Sequence, residues 1–116
     1  MECIFEIPHN IPQGKCKEII QRFENDTRKQ PGVSGSLHKV NPIKKSTDIC
    51  ITGLGDWRDI DDYLHKKLND AVSKYRDHLK KIGFYPSFQG CTDTGYQIQK
   101  TVEGQYCYIY MVFNQT

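Results

Sequence analysis

Four histidines are the side chains of this sequence best suited to bind a metal or to transfer protons near neutral pH: His9, His38, His65 and His78. None of them belongs to an H-x-D, H-x-E, H-x-H or H-E-x-x-H pair, the spacings that bring two ligands to one metal ion. His65 and His78 lie thirteen residues apart on a predicted helix, and we expect both to be exposed or half-buried. The sequence therefore predicts no metal-ligating residue and no catalytic residue.

The nucleophilic side chains likewise do not belong to any catalytic motif. There is no G-x-S-x-G motif, and Ser46 is predicted to lie within a strand rather than at a strand-to-helix turn. Gly53-x-Gly55 precedes a helix but lacks the third glycine of a dinucleotide-binding loop. The five cysteines are odd in number, widely spaced and without a C-x-x-C pair, so we expect small buried side chains in a reducing compartment: Cys3, Cys16, Cys50, Cys91 and Cys107.

Four aspartates crowd the start of a predicted long helix: Asp56, Asp59, Asp61 and Asp62. Negative charge at a helix N-terminus compensates the helix dipole, and Asp56 is placed to cap the first turn. We therefore interpret this carboxylate cluster as structural rather than catalytic.

Size and composition restrict the classes of function. A chain of 116 residues with a net charge of +2 predicts one domain over residues 1–116 without the clustered cations that nucleic acid requires. No apolar stretch approaches the ~20 residues that span a bilayer, and the first residues lack the features of a signal peptide. We expect a cytoplasmic protein that binds neither nucleic acid nor membrane.

The elements that position these residues follow from hydrophobic periodicity. Strands are predicted over residues 3–7, 43–52, 96–101 and 106–113, and helices over residues 15–28 and 57–82, the second ended by Gly83. In the second strand, Thr47, Ile49 and Ile51 alternate with Asp48, Cys50 and Thr52, so we expect the two sets to point to opposite sides. The second helix has Lys80 and Lys81 in its last turn and an apolar stripe that recurs every three or four residues: Ile60, Leu64, Leu68, Ala71, Val72, Tyr75, Leu79 and Ile82. Pro31-Gly32 is expected to end the first helix, and a loop is expected over residues 84–95. The predicted fold class is α+β, with helices backing a mostly antiparallel sheet.

Three segments, in order, resemble the front part of the Fe(II)/2-oxoglutarate-dependent oxygenases of the prolyl-4-hydroxylase type. The segment that starts at Cys16 reads C-K-E-I-I-Q-R-F-E and is similar to the opening helix of that family. The segment K-K-S-T-D-I, which starts at Lys44, resembles a strand of viral and bacterial members. The segment Y-Q-I-Q-K, which starts at Tyr96, together with Gly104 and Tyr108, is similar to a third family motif.

The resemblance implies an incomplete double-stranded β-helix (a cupin-like domain) backed by helices, with Gln99 and Tyr108 as candidate cofactor-binding residues. Members hold iron with an H-x-D or H-x-E pair and a distal histidine, a set that leaves coordination positions open for 2-oxoglutarate and oxygen. The pair is expected near Met111 and Phe113, but residues 105–116 contain no His, Asp or Glu. Thr101 also stands where members usually have tyrosine. We therefore expect the chain to bind neither Fe(II) nor 2-oxoglutarate as a cofactor and to be inactive.

Three explanations are open: a truncated oxygenase, a fragment that kept a binding or assembly role, or an enzyme with an unfamiliar site. A complete relative would hydroxylate a C–H bond and release succinate and carbon dioxide. The alternative class of function is a non-enzymatic protein-interaction domain. It would bind a partner through the edge of the sheet and the tyrosine-rich strand predicted over residues 106–113, which contains Tyr106, Tyr108 and Tyr110. An unpaired apolar strand invites pairing with another chain, so we expect a homo-oligomer or strand-exchanged dimer through residues 105–113.

Overall fold

A computed structural model describes residues 4–33, 45–85 and 93–104 of the chain. Its elements are α1 (Gln13–Asn25), β1 (Gln30–Pro31), β2 (Thr47–Cys50), a 3₁₀ turn (Gly55–Trp57), α2 (Arg58–Lys81) and β3 (Gln97–Lys100). The three strands form an antiparallel sheet in the order β1-β2-β3. The predicted α+β class is confirmed. The predicted strand over residues 106–113 lies outside the described residues.

The hydrogen-bond pattern of the sheet explains how a proline fits into β1. Gly32 donates its N–H to the carbonyl of Ser46 at 2.9 Å, and Pro31 is the partner of Thr47 in the next pair along. Because hydrogen-bonded and non-hydrogen-bonded pairs alternate in an antiparallel ladder, Pro31 occupies a position that needs no N–H toward β2. The missing donor lies on the outer edge of the sheet. The sequence does not predict this strand, because the Pro31-Gly32 pair is also typical of the end of a helix.

The core lies between one face of the sheet and the two helices. Its buried side chains are Phe23, Ile49, Ile51, Trp57 and Ile60. Phe23 comes from α1 and Ile60 from α2. Ile49 comes from β2, and Ile51 is the residue directly after that strand. Tyr96 and Ile98 pack against this cluster from the β3 side. Both helices therefore cover the same face of the sheet.

Helix α2 matches its prediction at both ends but not along its apolar stripe. Gly83 follows the helix with a φ of 94°, a backbone angle that favours glycine, and Lys80 and Lys81 lie in the last turn as predicted. Only Ile60 and Leu79 are buried on the helix, and Leu68 is exposed. The N-terminal half of α2 packs on the sheet, and the C-terminal half projects beyond the core cluster.

The predicted end of α1 and the predicted N-terminal cap of α2 are both wrong, because contacts between residues distant in sequence decide the structure at these two positions. Helix α1 ends at Asn25 instead of Arg28, because Asp26 adopts an extended conformation and accepts hydrogen bonds from Arg28 and Trp57. Asp56 does not cap α2; its carboxylate accepts a hydrogen bond from Arg28 at 2.7 Å. Contacts between residues distant in sequence override the local capping preference of Asp56 here.

The N-terminal segment is not a strand over its described residues 4–7, so that prediction is also wrong. The ring of Phe5 stacks on the ring of His78 with centroids 4.7 Å apart and planes 10° apart, and it also stacks on Tyr75. Further along, Lys15 lies over the ring of Tyr63. The segment therefore follows α2 in the opposite direction, because stacking on the aromatic side chains of the helix replaces strand pairing.

Candidate functional site

The candidate site is the face of the sheet that points away from the core. Directly paired residues of an antiparallel sheet project on the same side, so the register decides which side chains share a face. Gln30, Asp48 and Gln99 form one row across β1, β2 and β3, and Cys50 is paired with Gln97 beside it. These five residues define what we name the polar face. The opposite face carries the paired residues Ile49 and Ile98 and belongs to the core.

A groove of about 430 Å³ lies along the polar face. Gln30, Asp48, Cys50 and Gln97 contribute to its lining, and Val33 and Leu54 add apolar surface. Small-molecule sites commonly have volumes of about 300 to 1,000 Å³ and combine apolar walls with a few polar groups. The groove therefore has the size and the mixed lining that a small polar ligand needs.

Asp48 is the one acidic side chain of the polar face, and it is only 8% exposed. The hydroxyl of Ser46, which is also buried and lies just before β2, donates a hydrogen bond to the carboxylate at 2.7 Å. Burial of a carboxylate is costly unless hydrogen bonds compensate for the lost water. Alternation of the strand predicted that Asp48 and Cys50 point away from Ile49, but its period alone did not reveal the Ser46 contact.

Arg28 lines one end of the groove, and its charge is already neutralised. Its guanidinium donates to both carboxylate oxygens of Asp26, at 3.0 and 2.7 Å, and to Asp56 at 2.7 Å. The bonds to Asp26, followed by the single bond to Asp56, raise the pKa of Arg28 above its ordinary value. A guanidinium held on two sides by carboxylates is a poor anchor for an anionic ligand. Arg28 therefore serves mainly to shape the groove.

A second polar cluster joins α2 to the segment before β3. The Nδ1 atom of His65 lies 3.0 Å from Asp93, the Tyr96 hydroxyl donates to the same carboxylate at 2.6 Å, and Asn69 lies 3.1 Å from the Nε2 atom of His65. The Tyr96 hydroxyl, followed by His65, lowers the pKa of Asp93, and burial together with Asp93 raises the pKa of Tyr96 to about 12. Tyr96 and Asp93 thus keep their ordinary charges at neutral pH, and the cluster fastens β3 to α2.

Thr52 completes this attachment. Its hydroxyl accepts the N–H of Tyr96 and donates to Asp61, both at 2.7 Å. Gly95 passes so close that an added Cβ would lie 2.6 Å from the Thr52 oxygen, and its φ is +104°. Only glycine fits such a position without displacing its neighbour. Asp61 therefore accepts a hydrogen bond from a residue outside its helix, in addition to lying in the first turn of α2.

The residues that the structure describes do not fit a ferrous ion. Over residues 4–33, 45–85 and 93–104, no three His, Cys, Asp or Glu side chains come close enough together to hold a metal. His65 and Asp93 provide one imidazole and one carboxylate, whereas a facial iron site needs two imidazoles and a carboxylate. The second ring nitrogen of His65 is already in contact with Asn69.

No family model, curated protein or solved structure matches this chain. The geometry of its own residues therefore carries the functional argument. Among the described helices, none is long and apolar enough to cross a membrane.

The structure locates some of the predicted site residues. Gln99 is exposed on β3 within the polar face, whereas Tyr108 lies outside the described residues. His65 is exposed and His78 half-buried, as predicted, and neither Cys16 nor Cys50 forms a disulfide. The expected burial is wrong for Cys50, whose side of β2 faces the groove. Cys3, Cys91, Cys107 and His38 lie outside the described part of the chain.

Proposed function

We propose that this protein is the front portion of an oxygenase-like domain of the prolyl-4-hydroxylase type, and that it binds a ligand without holding iron through its own residues. The observation that carries the proposal is the division of the sheet into two faces. Phe23 and Ile60 bring both helices onto the side of Ile49, and Gln99 lies on the opposite side beside the groove.

That division is what the resemblance leads one to expect. A double-stranded β-helix consists of two sheets that face each other, so helices can back only the outer face of a sheet, and the inner face meets the ligand. Gln99, the candidate cofactor-binding residue, is on the face turned away from α1 and α2. The proposal therefore assigns the polar face to the inside of the domain.

The proposed role is binding rather than hydroxylation, because the donor atoms for iron do not fit. Among the described residues, His65 and Asp93 are the nearest approach to a ligand pair, and they lie on α2 and the segment before β3. Residues 105–116, where the resemblance expects the first two ligands, contain no His, Asp or Glu. Without these ligands, the polar face offers three side-chain amides, the carboxylate of Asp48 and the thiol of Cys50 for hydrogen bonding.

Two titrations test the proposal. Under anaerobic conditions, ferrous iron should bind no more tightly than it does to an unrelated control protein of similar size. In a separate titration, a neutral capped dipeptide, which adds no charge beside Asp48, should shift the backbone amide resonances of Cys50, Gln97 and Gln99. Gln99→Ala should weaken these shifts, whereas Gln21→Ala, an exposed glutamine on α1, should leave them unchanged. Tight iron binding with conversion of 2-oxoglutarate to succinate would overturn the proposal.

A second candidate function is a non-enzymatic interaction or assembly domain. This candidate is favoured by the position of β3. Among the described strands β3 pairs only with β2, so β3 forms one edge of the described sheet. Unpaired backbone groups along an edge are a template for another strand. The same titrations separate the two candidates, because an assembly domain would show no amide shifts on the polar face with the neutral dipeptide and would associate with itself or with a partner strand.

A further inference from the structure

A second cavity lies between the end of α1 and the 3₁₀ turn that precedes α2. Its volume is about 420 Å³, which falls within the usual range of small-molecule sites. Arg22 and Asn25 of α1, Thr27 just after that helix and Trp57 of the turn contribute to its lining. These four residues are not among those that line the groove of the polar face, so the cavity is a separate candidate site.

The guanidinium group of Arg22 is held in this cavity as a flat platform. It lies over the indole ring of Trp57, 4.6 Å from the ring centroid. It also donates two hydrogen bonds to the carboxylate of Asp59, at 2.7 and 3.1 Å, and a third to the backbone carbonyl of Asp56. A group that is already fixed by such contacts loses little further freedom when a ligand binds to it.

The two faces of this guanidinium group have different surroundings. Trp57 is 2% exposed and covers one face, whereas the side chain of Arg22 is 28% exposed and lines the cavity. Guanidinium planes stack on aromatic rings, including the bases of nucleosides. A planar ring in the cavity would therefore stack on the outer face of Arg22 and add a third layer to the pair that it forms with Trp57.

The charges around the cavity favour an uncharged ligand. The carboxylates of Asp26 and Asp56 accept hydrogen bonds from Arg28, and that of Asp59 accepts from Arg22. Three carboxylates thus compensate two guanidinium groups. A phosphate or carboxylate on the ligand would gain little attraction here and would approach the carboxylates of the site.

We propose that this cavity binds an uncharged heteroaromatic ring of about the size of a purine base, stacked on Arg22. Asn25 and Thr27 are exposed in the lining and supply hydrogen-bonding partners for the edge of the ring. A side-chain amide presents a donor beside an acceptor, the combination that pairs with the amino group and the adjacent ring nitrogen of adenine, and a hydroxyl serves in either role. The inference depends neither on the ligand of the polar face nor on the resemblance to oxygenases.

An NMR titration of the full chain with adenosine tests this inference. The sequence contains one tryptophan, so the indole N–H resonance of Trp57 is assigned without ambiguity. Adenosine should shift that resonance and the side-chain amide resonances of Asn25, and the shifts should saturate with concentration. Arg22→Lys keeps the positive charge but removes the flat group, and it should weaken adenosine binding by about tenfold.

A pair of alanine variants keeps the test decisive even if Arg22→Lys does not fold. Asn25→Ala removes an exposed amide from the cavity and leaves the hydrogen bonds of Arg22 in place, so it should weaken adenosine binding severalfold. Gln21→Ala removes an exposed amide from the same helix outside the cavity and should bind adenosine like the unmodified protein.

Three results would overturn the inference. The first is the absence of a saturable shift of the Trp57 resonance with adenosine, and the second is equal affinity for adenosine in the Asn25→Ala and Gln21→Ala variants. The third is tighter binding of adenosine monophosphate than of adenosine, which would show that the cavity takes a phosphate group instead of an uncharged ring. The dipeptide titration reports on Cys50, Gln97 and Gln99, so it tests ligand binding by the polar face separately.

Discussion

At the scale of single residues, Asp26 connects three parts of the chain. Its carboxylate accepts hydrogen bonds from Arg28 and from the indole N–H of Trp57, the latter at 2.8 Å, and its side chain is only 7% exposed. Arg22 lies over the same indole ring, 4.6 Å from its centroid, and makes two bonds to Asp59. The end of α1, the segment that follows it and the start of α2 are thus held by one polar network.

This network makes stability sensitive to acid. The side-chain hydrogen bonds from Arg28, followed by that from Trp57, lower the pKa of Asp26 well below its ordinary value. A carboxyl group with a lowered native pKa stabilises the fold above its unfolded pKa of about 3.9, and that contribution is lost as the pH falls below about 4. The urea midpoint should therefore fall between pH 6 and pH 3.

We predict that Asp26→Asn lowers the urea midpoint at pH 6 and reduces its further fall toward pH 3. Asp62→Asn, at an exposed position of α2, is the matched control and should follow the unmodified protein at both pH values. Urea denaturation followed by tryptophan fluorescence measures both, since Trp57 lies within the network. If Asp26→Asn has the same pH dependence as the unmodified protein, another group causes the acid sensitivity.

At the scale of elements, the two halves of α2 have different roles. The N-terminal half meets the sheet through Ile60 and Leu64, and the C-terminal half meets the N-terminal segment through Tyr75 and His78. We predict that Ile60→Ala, at a side chain that is 0% exposed, lowers the free energy of unfolding by about 2 to 5 kcal/mol. Leu68→Ala, 38% exposed on the same helix, should cost less than about 1 kcal/mol.

Chemical denaturation of the two alanine variants at neutral pH compares these costs directly. Both substitutions keep the helix propensity high, so the difference between them reports packing. Equal losses of stability would mean that the side chain of Leu68 is packed as tightly as that of Ile60.

At the scale of the whole molecule, we predict self-association through residues 105–113. Light scattering should give a mass that rises with concentration from 13.5 kDa toward twice that value. Ile109→Lys should keep the mass at that of a monomer, because a charge within this apolar segment opposes association. Glu103→Lys, in the turn after β3, controls for the added charge. A single species of monomer mass at high concentration in the unmodified protein contradicts the prediction.

Short-range patterns in the sequence predict the structure where neighbours decide it. The bounds of α2, the glycine at its end and the alternation around Ile49 each depend on neighbours within a few residues, and these predictions are confirmed. The predictions are wrong where the partners are distant in sequence, as in the contacts of Asp26 with Trp57 and of Phe5 with His78. The candidate site shows the same division. Alternation predicted the common side of Asp48 and Cys50, but Gln30 joined the polar face through the unforeseen pairing of β1.

Pro31 has one further consequence, which concerns the symmetry of any assembly. A sheet with two open edges can add copies head to tail without limit and grow into a filament. In the described sheet, Pro31 leaves the edge of β1 without an N–H donor, so a strand-to-strand contact between two such sheets would use the edge of β3 in both molecules. Such a contact is isologous, and a twofold axis closes it after one step. Within the part of the sheet that the structure describes, the proline thus favours growth by strand pairing that stops at two copies.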